Sequence, residues 1–122
     1  MKCTRIHADA AGESRLEEID IGLDRAVFAP PTPPMDLSVP FEATRVVFVS
    51  LPVGWQGERH NAPRRQFFLQ FSGMIELEVA DGRRVRTGPG SVTLLEDTQG
   101  SGHMTRVLGD EPATGAFVQF PD

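Results

Sequence analysis

With Cys3 as its single cysteine, the chain cannot close an intramolecular disulfide. It has no run approaching the ~18–20 consecutive apolar residues of a membrane-spanning helix. Its start, MKCTRIHADAAGESR, has no apolar stretch able to serve as a secretory signal. A reducing cytoplasm is the expected address, with no membrane partner. Positive charge is also scarce: 12 Lys and Arg stand against 17 Asp and Glu, a net charge of −5. That balance is the reverse of the basic footprint that binds phosphate backbones, so nucleic acid is not an expected partner. CxxC pairs, a glycine loop followed by lysine, a dinucleotide GxGxxG and a GxSxG elbow are all missing, which removes the commonest redox, nucleotide and serine-nucleophile chemistries. Apolar residues at helical spacing are few as well.

What remains is a chain of 122 residues, enough for one modest core. Short runs rich in Val, Phe, Leu and Thr end in Gly, Pro or Asp, which is the pattern of strands. Strands are expected near Cys3 to His7, Arg15 to Ile21, Thr44 to Leu51, Gln66 to Ser72 and Met74 to Ala80. Four more are expected near Arg83 to Thr87, Ser91 to Leu95, His103 to Leu108 and Gly115 to Phe120. The class is therefore all-β, a sandwich or barrel. Asp81-Gly82 lies between the alternating segments MIELEVA and RRVRT and predicts a two-residue hairpin turn. APPTPPMDLSVP lacks the donors a sheet interior requires, so it reads as an extended surface crossing. Residues 1–43 thus supply N-terminal strands and a proline-rich connector to the same domain, and 44–122 its core.

In PRRQFFLQFSG, alternation places Arg64, Gln66, Phe68 and Gln70 on one face and Arg65, Phe67, Leu69 and Phe71 on the other. The first, mixed set would suit a hollow holding a small ligand. It would equally suit the solvent face of an ordinary half-buried strand.

The spacing from Gly54 to Gly73, GWQGERHNAPRRQFFLQFSG, resembles the first motif of the cupins: Gly, five residues, HxH, three or four residues, an acid, six residues, Gly. His60 holds the first histidine position, Ala62 replaces the second and Gln66 replaces the acid. GPGSVTLLEDTQGSGHMTRV is similar to the second motif and puts His103 at its histidine. Thr98 stands there for the proline, Val107 for the asparagine, and Gly90 lies two residues upstream of its usual place. PRRQ, GPG and EDTQGSGH are also similar to a group of small bacterial cupins. The resemblance implies a cupin-type jelly-roll β-barrel, most often a homodimer exchanging N-terminal strands, here the segments before Phe28.

It also carries over His60, Gln66 and His103 as candidate ligands of one divalent ion (Zn, Ni, Mn or Fe(II)), with Ala62 contributing none. Two imidazoles and a neutral amide hold a cation more weakly than three imidazoles and a carboxylate, so the alternative is a pocket without metal. Arg64 is the candidate partner for a ligand carboxylate or phosphate, and Trp55 and Phe68 are candidate apolar walls. Gln70 and Glu96 complete the expected substrate-binding set. Of the neighbours Glu96 and Asp97 only one is expected to lean inward, and Asp97 reads equally well as a turn cap. The expected function is binding of a small, acidic molecule, either with metal-dependent oxygenase, isomerase or lyase chemistry or as a metal-free binding or sensing module.

Overall fold

Where β-branched and aromatic residues alternate, the chain becomes strand, and where Gly, Pro or Asp interrupt them it turns. The computed structural model describes residues 1–122 and contains eleven strands and no helix. They are β1 (Lys2–Ala8), β2 (Ser14–Asp20), β3 (Asp24–Ala26), β4 (Met35–Leu37), β5 (Arg45–Leu51), β6 (Gln66–Ser72), β7 (Met74–Glu78), β8 (Arg84–Thr87), β9 (Val92–Leu95), β10 (Met104–Leu108) and β11 (Ala113–Gln119). Six form one sheet in the order β2-β1-β9-β6-β11-β5 and three form a second in the order β10-β7-β8. The protein is all-β. The two sheets stay separate, so the expected closed barrel is not what the ladders make.

The main core lies between them. Ile6, Phe68 and Leu95 come from the large sheet and Ile75, Leu77 and Val107 from the small one. Each such side chain contributes about 1.5–3 kcal/mol when fully withdrawn from water. The large sheet is apolar on its other face as well, where Cys3, Phe67 and Phe120 cluster with Leu69, Val92, Leu94 and Val118. Phe41, from the chain entering β5, rests edge-on against Phe67 with ring centroids 5.1 Å apart.

Two local expectations are corrected. The turn between β7 and β8 takes three residues rather than two: Gly82 N–H donates to Val79 O and Val79 N–H to Arg83 O. Asp81 does not adopt positive φ, and its carboxylate instead accepts from Arg83 N–H, leaving Gly82 (φ 86°) as the left-handed residue. The proline-rich crossing is not wholly extended either. It turns at residues 29–32, where Thr32 N–H donates to Ala29 O, and then runs extended again as β4, which pairs with β3 in a two-stranded ribbon outside both sheets. No helix is long and apolar enough to cross a membrane.

Candidate functional site

Between the sheets lies a hollow of about 190 Å³. Its walls are mainly apolar, with Trp55, Phe68, Ile75, Leu77, Leu95 and Phe117 among them. The rings of Phe68 and Phe117 sit 5.0 Å apart, tilted by 44°. Polar groups are few: His60 and His103, Gln66 and Gln119, and the threonines Thr87, Thr93 and Thr105. No Arg, Lys, Asp or Glu side chain lines it.

His60 and His103 meet through the backbone. His60 N–H donates to His103 O at 3.0 Å and His103 N–H to His60 O at 2.9 Å, an isolated antiparallel bridge. The segment carrying His60 is thereby laid along the approach to β10, helped by Gly57 N–H to Thr105 O and Val107 N–H to Trp55 O. Gly102 makes the approach feasible, because a Cβ there would sit 2.5 Å from His60 O and its φ is +74°. The ring centroids end 4.8 Å apart. His103 is buried and His60 lies exposed at the mouth.

Each ring has one nitrogen fixed. His60 Nδ1 lies 2.8 Å from Glu58 O, and a carbonyl only accepts, so Nδ1 carries the hydrogen. His103 Nδ1 lies 2.5 Å from Asp97 Oδ2 and is held in the same way. In the neutral rings both Nε2 atoms are then left as acceptors. This is the arrangement by which a second group orients a base or a metal ligand. Asp97 is fully buried, and its other oxygen, Oδ1, has no hydrogen-bond partner. A half-satisfied buried carboxylate is costly, which singles it out as more than packing.

Of the sequence-derived set, Trp55, His60, Gln66, Phe68 and His103 line the hollow, whereas Arg64, Gln70 and Glu96 do not. Arg64 precedes β6 in the bend that follows Pro63, so the strand's alternation does not reach it, and its Nη1 lies 3.4 Å from Phe120 O. Gln70 does face inward, but its amide is taken up by Gly73 O and Thr87 O and its oxygen by the Thr87 hydroxyl at 2.7 Å. Glu96 points to the outer face, bonded by Arg5 Nε and by Arg65 Nε and Nη2. Asp97, its neighbour, is the one that turns inward. The sequence held that signal in the strand parity, since Thr93 and Leu95 line the hollow, but the role as partner of His103 was not visible.

As a metal centre the set is thin. No three His, Cys, Asp or Glu side chains converge, the Gln66 oxygen already accepts from Gln119 Nε2 at 2.9 Å, and the nearest carboxylate serves His103. Two imidazole Nε2 atoms fit an ion only if water or a bound molecule completes its coordination, since catalytic sites ordinarily supply three protein ligands. No protein-family model and no curated protein matches the chain, and its chemistry has to be read from this hollow alone.

Proposed function

We propose that the protein binds a small molecule in the hollow between its two sheets, with His60 and His103 as the polar pole of the site. The observation that carries this is the pair of rings, each pinned at Nδ1, lining a mainly apolar cavity. The two sheets, and the meeting of His60 with His103 from the two motif positions, support assigning the chain to a cupin-type jelly roll. An acidic ligand loses its warrant, because Arg64 lies outside the cavity. The test is a fragment titration followed by amide chemical shifts. Binders should move amides of β6, β9 and β11 and raise the melting temperature, as any ligand of the native state must. A broad library with no binder at those amides would sink the reading.

A second reading is favoured by the same pinned rings: a divalent ion held by His60 and His103 beside Gln66. The ion would act as a Lewis acid toward the bound molecule. Protein purified without an affinity tag should then contain metal, and His103→Ala and Gln66→Ala should both lose it. Stoichiometric metal persisting in both variants would rule the assignment out.

A further inference from the structure

We propose that the ligand is an uncharged, hydroxyl-bearing ring compound of about the size of phenol or cresol, bound with its ring against Phe68 and Phe117 and its hydroxyl donating to a histidine Nε2. This rests on the small-molecule reading above and narrows it to a chemical class. Three observations converge.

Size comes first. A hollow of about 190 Å³ compares with the apolar cavities of about 150 Å³ that accept benzene. One ring with one or two further heavy atoms fills that space.

Charge comes second. The lining has no guanidinium or ammonium, so an anion entering it would leave its water without gaining a paired partner. The nearby guanidiniums are already committed elsewhere: Arg65 and Arg5 bind Glu96, and Arg64 approaches Phe120 O. An uncharged molecule meets no such penalty.

Hydrogen-bond polarity comes third. Glu58 O and Asp97 Oδ2 hold the two Nδ1 hydrogens, so what the neutral rings offer the cavity is acceptors. The complementary group on the ligand is a donor, and a hydroxyl is the smallest that a single ring can carry. Of the other polar groups, Gln119 Nε2 donates to Gln66 Oε1 and the Thr87 hydroxyl to Gln70 Oε1, while the Gln66 amide hydrogens can donate to the oxygen of the ligand's hydroxyl. Phe68, Phe117 and Leu77 supply the face against which a ring packs.

The experiment titrates the intact chain at pH 7.5 with phenol, 4-methylphenol, toluene and benzoate, read by amide shifts and melting temperature. Phenol and 4-methylphenol should bind at cavity amides, toluene at least tenfold more weakly for want of the hydroxyl, and benzoate at least tenfold more weakly for its charge. Val47→Trp and Thr105→Leu narrow the hollow from opposite sheets, and each should weaken phenol binding at least tenfold. Benzoate binding as well as phenol at the same amides would overturn the uncharged class while leaving the pocket reading intact. Toluene equal to phenol would overturn the role of the histidines. Failure of all four probes, when a fragment of another class does bind at those amides, would overturn this proposal alone. Phenol binding unchanged in both narrowed variants would show that it binds elsewhere, and would overturn the placement.

Discussion

A carboxylate without solvent and with one oxygen unpartnered is the most consequential residue of the site. Asp97 decides which nitrogen of His103 faces the cavity, because an acceptor at Nδ1 leaves Nε2 free of hydrogen in the neutral ring. Asp97→Asn should reverse this. The new amide can donate to Nδ1, which moves the ring hydrogen to Nε2 and turns the cavity's acceptor into a donor. We expect phenol affinity to fall about tenfold, or about 1.4 kcal/mol, and ring nitrogen spectra to show the exchanged tautomer. Unchanged spectra and affinity would mean that the carboxylate only fills space. A loss of affinity through mere loosening of the fold would not exchange the tautomer.

At the level of strands, the end of β9 ties three elements together. Glu96 receives Arg5 from β1 at 2.5 Å and Arg65 from the bend before β6 at 2.7 Å, and Arg65 also reaches Asp122 at 3.0 Å. Burial pushes the Glu96 carboxyl up, but the hydrogen bonds from Arg5 and then Arg65 outweigh it and hold it below its ordinary value. A depressed carboxyl stabilises the fold above its unfolded pKa, near 4.3, and that contribution fades as pH falls through the lower folded value. Glu96→Gln should therefore cost about 1 kcal/mol near neutral pH and show a shallower loss of melting temperature between pH 5 and pH 3. Parallel acid profiles for the two proteins would refute the assignment. The same stretch shows what the sequence could and could not reveal. β6 is legible residue for residue because QFFLQFS is a run rich in aromatic residues closed by Gly73. β3 and β4 are not, since three residues are too short to display a period. Arg64 departs from its expected face because the alternation reaches back past Gln66 to Arg64, where the pleat has not begun. The inward direction of Asp97 is not legible, because it depends on where β9 stops and on a ring that arrives from a separate segment.

Several large apolar side chains lie in water. Val46 and Phe48 of β5 are 57% and 76% exposed, Phe28 in the ribbon's loop is 70% exposed, and Phe71 of β6 is 54% exposed. β5 is also an edge strand, bonded only to β11. Exposed apolar side chains on the outer face of an open edge strand, here Val46 and Phe48, are what a second chain covers, and we expect two copies to associate through β5. Of the segments before Phe28, β1 and β2 pair with each other inside the chain's own large sheet, and β3 pairs with β4 in the separate ribbon. Light scattering should give twice the chain mass at micromolar concentration, and Phe48→Lys should reduce it to a single copy without altering the strand content. A wild type that runs as one copy at hundreds of micromolar would dispose of the idea. The bridge between His60 and His103 runs through the backbone. Main-chain atoms alone clasp those two positions, so their alignment does not depend on which side chains they bear. The site is in effect a socket: other pairs of donors, two cysteines or a histidine and a glutamate, can be seated there and inherit the same spacing without re-laying the sheets.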